Sequence, residues 1–327
     1  MANTIDWGKA TQNNTNGFGK YQNTIDAGSI YADSWSGETV IIGTSAAFSY
    51  SKSSYHQDES DPTPTITGTT GGTFSATPSG LSINASTGTI DLSASTIQPY
   101  TITYTVDGVS ANFNLSVTAS PFLANTYSMD FDSASSQYIN LGDLSNIGIS
   151  NASAVSVSLW FNRDTVHNQI LLDLKYGSAR IGMQLYVNVI YFYINNRTYN
   201  SSTATSINQW YNLIYVFDGS GSTNADKLKM YLNGTELTGG TYSGTIPTAV
   251  GTFTSSMTSD LGRTPSTAYF DGKIDEVAIW NTALSSDAVQ EIYNATANNT
   301  GKVLDLNTDY NNYTSSANLQ YWNRLGD

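Results

Sequence analysis

The stretch Ile181-Gly182-Met183-Gln184-Leu185-Tyr186-Val187-Asn188-Val189-Ile190-Tyr191-Phe192-Tyr193 carries an apolar or aromatic side chain at every odd position. A side-chain period of two is the signature of a strand, because successive Cβ atoms point to opposite faces. The reading predicts one inward face made of Ile181, Met183, Leu185, Val187, Val189, Tyr191 and Tyr193. Val155, Val157, Leu159 and Phe161 form a second such face, and Leu228, Met230 and Leu232 a third, which Asn233-Gly234 closes as a turn. A sheet that is apolar on one face cannot leave water alone, so these faces must meet in a two-layer sandwich.

Composition agrees with an all-β chain. Thr, Tyr, Val and Ile alternate with Gly, Asn, Asp and Ser, and long Ala/Leu/Glu/Lys runs are missing. The 327 residues suffice for two or three domains. The formal net charge of −13 comes from 13 Lys and Arg against 26 Asp and Glu, with no basic block to neutralise a phosphate backbone. Nucleic acid and anionic membrane surfaces are therefore not expected partners. With no cysteine there is no thiol chemistry and no disulfide. The opening MANTIDWGKATQ has no apolar core of a secretory signal and no run reaches bilayer length, so neither export by the general secretory route nor membrane insertion is expected.

Four regions follow from the punctuation. Residues 1–61 are read as a docking arm and linker: Asn-Thr-x-x-x-Gly recurs from Asn3, Asn14 and Asn23, and the stretch from His56 to Pro62 is acidic and loop-like. Residues 62–120 form a small β-domain whose clearest part is a hairpin, with Tyr100, Ile102, Tyr104 and Val106 before Asp107-Gly108 and Val109 to Val117 alternating after it. Residues 125–295 form the large sandwich. Residues 296–327 are a tail with strand-like pieces, Gly301 to Leu306 and Tyr321 to Asp327, for which the sequence offers no partner, so other chains are expected to supply one.

Several motifs resemble known families. Gly80-Leu81-Ser82-Ile83 with Thr87-Gly88-Thr89-Ile90 is similar to cadherin-like or immunoglobulin-like spacer modules, which implies a small immunoglobulin-like sandwich. Met129-Asp130-Phe131-Asp132, Tyr138-Ile139-Asn140-Leu141-Gly142 and Ser156 to Phe161 resemble the opening strands of laminin-G-like domains. Gln209-Trp210-Tyr211-Asn212-Leu213 resembles their central strand, with Trp210 at a core position. Leu261-Gly262-Arg263 with Tyr269 to Asn281, followed by Ala283-Leu284-Ser285 and a short helix to Tyr293, resembles their closing signature. The resemblance implies a concanavalin-A-like jelly-roll sandwich. Ser285 or Ser286 is the expected N-cap of the helix, with Ala288, Val289 and Ile292 buried. About the first 40 residues resemble the opening of tailed-phage virion proteins.

For function, these resemblances imply a non-catalytic virion structural protein on the virion surface: a capsid decoration, head fibre or tail appendage. The arm would bind other virion proteins and the sandwich would attach to host-surface glycans. A homo-oligomer is expected, with a trimer favoured by resemblance to phage appendages. The alternatives are a bacterial surface adhesin or glycan-binding protein and, further off, a glycoside hydrolase. Glycosidases of this fold hold carboxylates on one strand in an E-x-D-x-x-E spacing, which is absent here. Asp271, Asp275 and Glu276 fall instead on the closing strand, where structural hydrogen bonding is the expected role. No catalytic residue is assigned. Calcium is the cofactor that the resemblance implies, with Asp130, Asp132 and Asp271 as candidate ligands and hydrogen-bonded turn carboxylates as the plainer reading. Tyr191, Tyr193, Tyr199, Trp160 and Trp210 are the supply of aromatics for sugar stacking.

Overall fold

The computed structural model describes residues 44–264, 268–298 and 301–327, and the expected docking arm and its repeats lie outside them as far as residue 43. The chain divides into two compact units, Met1–Ala119 and Ser120–Asp327. Among the described residues no helix is long and apolar enough to cross a membrane.

In the first unit a four-stranded sheet runs in the order Ser54–His56, Val109–Thr118, Gln98–Val106, Thr73–Thr77. The long hairpin Gln98–Val106 with Val109–Thr118 turns at Asp107 and Gly108, both at positive φ (48° and 77°), as the Asp-Gly pair requires. Tyr50, Tyr55, Phe74, Ile90, Tyr100, Ile102, Tyr104 and Val117 are buried together. The expected boundary at residue 62 is corrected: Tyr50 and Tyr55 belong to this core, and Ser54–His56 pairs in parallel with Val109–Thr118. Even the acidic stretch is held, since Asp61 Oδ1 accepts the amide of Leu92 at 3.0 Å. Polar composition marked a linker; the aromatic residues just before it supply apolar area that the small core needs.

The second unit is a sandwich of two antiparallel seven-stranded sheets. The first sheet runs Met129–Phe131, Gly272–Trp280, Ala154–Arg163, Trp210–Asp218, Leu228–Leu232, Thr235–Glu236, with Leu319–Asn323 also paired to Gly272–Trp280. The second runs Ile139–Asn140, Thr258–Leu261, Asn168–Tyr176, Ala179–Tyr186, Val189–Ile194, Arg197–Ser201, Thr241–Tyr242. Val155, Val157, Leu159, Phe161, Leu213, Tyr215 and Phe217 meet Leu172, Leu174, Ile181, Met183 and Leu185 between them.

The inward face expected from Ile181 to Tyr193 is half right. Ile181, Met183 and Leu185 are buried, but Val187 sits at φ 54° in a turn and is 45% exposed. The chain reverses there, so the next strand buries Ile190, Phe192 and Ile194 and turns Val189, Tyr191 and Tyr193 to the other face. Fully buried Arg163 donates Nη1–H to the carbonyl of Val187 at 2.8 Å and so holds this turn. No Gly or Pro marks it, and a β-branched residue at positive φ is rare enough that sequence patterning passes over it.

The tail is corrected as well. Lys302–Leu304 pairs with Phe122–Ala124, and Leu319–Asn323 pairs with Gly272–Trp280, so its partners lie in the same chain. The reason is the strand Gly272–Trp280, which is apolar on both faces. Val277 and Ile279 enter the main core, whereas Ala278 and Trp280 face a second cluster closed by the helix Ser286–Ala297 and by Leu304, Leu306 and Tyr313. Trp280 Nε1 donates to Tyr313 Oη at 3.0 Å inside it. Ser285 caps the helix, its hydroxyl accepting the amide of Ala288 at 3.1 Å.

Candidate functional site on the outer face of the second sheet

The reversal at Val187 puts Tyr191 and Tyr193 on the outer face of the second sheet, beside Tyr186, which is 50% exposed. Their rings form a connected set: Tyr191 and Tyr193 stack at 6.2 Å and 21°, and Tyr186 meets Tyr191 edge-on at 6.4 Å. Gln184 shares this face, accepting from Tyr193 Oη and donating to Asn168 Oδ1.

Across the neighbouring strands the same face carries two buried carboxylates that sequence reasoning missed. Asp173 and Asp260 are cross-strand partners, and both are fully buried. Each is matched by an arginine that also lies over a tyrosine ring. Arg180 Nε bonds Asp173 Oδ1 at 2.5 Å and its guanidinium sits 3.7 Å from the centre of Tyr193. Arg263 Nε bonds Asp260 Oδ2 at 2.8 Å and its guanidinium sits 3.2 Å from the centre of Tyr138. The remaining oxygens are also taken: Thr264 Oγ1 donates to Asp173 Oδ2 at 2.8 Å and Asn140 Nδ2 to Asp260 Oδ1 at 2.9 Å. A buried charge persists only when paired and hydrogen-bonded, and here all four carboxylate oxygens have a donor. The signal in the sequence was a lone Asp inside Ile170-Leu171-Leu172-Asp173-Leu174, a charge on a strand otherwise destined for the interior.

The other sequence candidates disperse. Tyr199 is buried and stacks on Tyr242 at 4.4 Å, and Trp160 stacks on Tyr293 of the helix at 5.9 Å. Trp210, expected in the core, is 37% exposed; its neighbour Tyr211 takes the inward place, stacked on Phe161 at 5.6 Å.

Of the calcium candidates, Asp130 is exposed and pairs with Lys273 at 3.9 Å. Asp132 accepts from the Ala134 amide (2.8 Å) and the Ser135 hydroxyl (2.6 Å), bonds that hold its carboxyl below its ordinary range. Asp271 accepts from the Ser133 amide (3.3 Å) and the Thr165 hydroxyl (2.8 Å). Among the described residues no group of three or more His, Asp or Glu side chains is placed to hold a metal ion.

Asp275 and Glu276 lie on the first sheet and are 5% exposed. Asp275 accepts the Glu276 amide at 2.8 Å and Asn125 Nδ2 at 3.1 Å. Desolvation, then the neighbouring Glu276 charge, pushes it up to about 7. Glu276 is also raised by desolvation, although Trp322 Nε1 (2.6 Å) and Arg324 Nε (3.2 Å) donate to it. Glu276 thereby holds the C-terminal strand, and Asp275 holds Asn125.

Residues 132–290 match the family model described as the concanavalin A-like lectin/glucanases superfamily, Laminin_G_3. The larger unit carries a concanavalin A-like domain. A carbohydrate-binding protein of uncertain assignment from Bacteroides ovatus is similar in structure, with a TM-score of 0.51 and 14% identity over 85% of this chain and 88% of that one. Domain 4 of AbnA, an extracellular arabinanase of Geobacillus stearothermophilus solved with arabinotriose, is 24% identical over 47% of this chain and 71% of its own, with a TM-score of 0.36. A SAP-like pentraxin from Limulus polyphemus is 12% identical over 44% of this chain and 71% of its own, with a TM-score of 0.34. Among curated proteins none matches the chain. The concanavalin A-like domain thus agrees with the fold expected from the closing motif.

Proposed function

We propose that the chain is a non-catalytic, glycan-binding display protein, and that its concanavalin A-like domain takes sugars on the outer face of the second sheet. The observation that carries this reading is the outward-facing tyrosine set, exposed Tyr186 with half-buried Tyr191 and Tyr193, beside side chains already fixed by Asp173 and Asp260. Sugar rings stack their C–H faces on aromatic rings, and polar groups held in place recognise hydroxyls without a large ordering cost. The similarity to a Bacteroides ovatus protein described as carbohydrate-binding supports the same reading. The saturated carboxylates support a non-catalytic role, since a retaining or inverting glycosidase needs one carboxyl free to protonate and another free to attack or activate water.

The finer placement is a tailed-phage virion surface, with residues before 44 docking to other virion proteins and the small unit as spacer. It rests on the Asn-Thr-x-x-x-Gly repeats and the resemblance of the opening residues. Self-association is assigned to that arm alone, because the C-terminal strands already have partners in the chain.

A glycan array probed with the full chain tests the site. Binding that falls at least tenfold in Tyr186→Ala and Tyr191→Ala, with melting temperature unchanged, is the expected result. Undiminished binding in both variants, or sugar release by the purified protein, overturns it.

A further inference from the structure

The loop between Ala154–Arg163 and Asn168–Tyr176 gathers four reactive side chains that glycan binding does not use. Thr165 Oγ1 donates to Asp271 Oδ2 at 2.8 Å and lies 2.8 Å from His167 Nδ1. Gln169 is fully buried. Its Nε2 is 2.7 Å from the Thr165 carbonyl, 3.4 Å from Thr165 Oγ1 and 3.4 Å from His167 Nδ1. Its Oε1 accepts the backbone amide of Asp271 at 3.3 Å.

Each part of an acyl transfer is thereby present. A hydroxyl touches a carboxylate able to take its proton, and a carboxamide lies beside that hydroxyl. Its oxygen is held by a backbone N–H, the kind of donor that stabilises developing negative charge. Its nitrogen is within reach of an imidazole that can protonate a leaving group. Holding nucleophile and electrophile side by side on one short segment removes most of the entropic barrier to their reaction.

We propose that Thr165 and Gln169 form an intramolecular ester with loss of ammonia. Thr165 Oγ1 attacks Cδ of Gln169 while its proton passes to Asp271. The charge that develops on Oε1 is met by the Asp271 amide. The Cδ–Nε2 bond then breaks as His167 gives Nε2 a proton, and ammonia departs. The proton on Asp271 returns to His167 through solvent, so the net change is one hydroxyl and one carboxamide converted to one ester and one ammonia. No water is consumed, and no oxidant or metal takes part. Ammonia is protonated and diluted in neutral solution, which draws the exchange forward, and the burial of Gln169 shields the acyl carbon from hydrolysis. The product is a covalent staple across the loop that enters the second sheet, independent of whether that sheet binds glycans.

Peptide mapping of the purified full chain tests it. The tryptic peptide spanning residues 164–175 should be lighter than its sequence by one ammonia, should give no backbone fragments between Thr165 and Gln169, and should open with hydroxylamine. A succinimide at Asn233-Gly234 loses the same mass, and localisation separates the two. Thr165→Val and His167→Ala should restore the full mass while circular dichroism remains that of the parent. If the wild-type peptide stays unmodified after prolonged incubation at neutral pH, the four residues are a hydrogen-bonded staple only and the ester is wrong. A mass deficit that persists in Thr165→Val overturns it equally, and the wild-type map decides even if a variant fails to fold.

Discussion

Asp173 and Asp260 on the second sheet and Asp275 and Glu276 on the first are both pairs of buried carboxylates, yet they are accommodated in opposite ways. On the second sheet each charge has its own arginine and every oxygen has a donor. On the first sheet Arg324 pairs with Glu276 alone of the two adjacent carboxylates, and desolvation, then the Glu276 charge, drives Asp275 upward. All four oxygens of the first-sheet pair also have a donor, so the two pairs differ not in their count of hydrogen bonds but in whether each carboxylate has a cation of its own beside it.

The largest effect should come from breaking a complete pair. Arg180→Met leaves Asp173 buried with only Thr264 as donor, and chemical denaturation should show a loss of about 3–5 kcal/mol, the usual result of orphaning a buried charge. Adding Asp173→Asn to Arg180→Met should recover much of that loss. If the single variant costs no more than a surface change, Asp173 is not held by Arg180 in the way described.

The incomplete pair should reveal itself through pH. A carboxyl whose folded value is raised contributes full stability below its ordinary value near 3.8 and loses it as pH climbs to about 7. Stability should fall by roughly 2–4 kcal/mol over that window, to which Glu276 adds in the same direction. Asp275→Asn should flatten the fall, since Asn125 can turn its otherwise unpaired buried Oδ1 toward the new amide. A stability that rises between pH 4 and 7 in the wild type and not in Asp275→Asn would contradict this account.

The smallest effect is expected at Trp210, which lies on the same outer face of the first sheet as Trp280 but beyond the cluster that covers it. Trp210→Ala, on an exposed ring, should change stability by about 0.5 kcal/mol or less. Trp280→Ala, which opens the cluster beneath the helix, should cost about 3–5 kcal/mol. Comparable losses would mean that Trp210 packs as the family resemblance first implied.

The site was only partly legible in advance. Tyr191 and Tyr193 were named as sugar-stacking candidates, but the same alternation also placed them on the inward face, because nothing between Ile181 and Tyr193 announces a turn. The turn exists because Arg163, from the other sheet, donates to the Val187 carbonyl. The pairing of Asp173 with Asp260 was not legible at all, since the strands that carry them are distant in the chain and become neighbours only through the order of the second sheet.

What the sequence by itself determined is local: the strand period, the Asp107-Gly108 hairpin, the closing strand Gly272–Trp280 and the helix that Ser285 caps. Each depends on residues within a few positions of one another, where backbone geometry and solvent preference act directly. Only the tertiary structure decided that the tail completes the first sheet, that residues 44–61 complete the small core, and which face Tyr191 presents to solvent. Those outcomes depend on which apolar surfaces remain uncovered once the strands have paired, as with Ala278 and Trp280, and that remainder is a property of the assembled sheets.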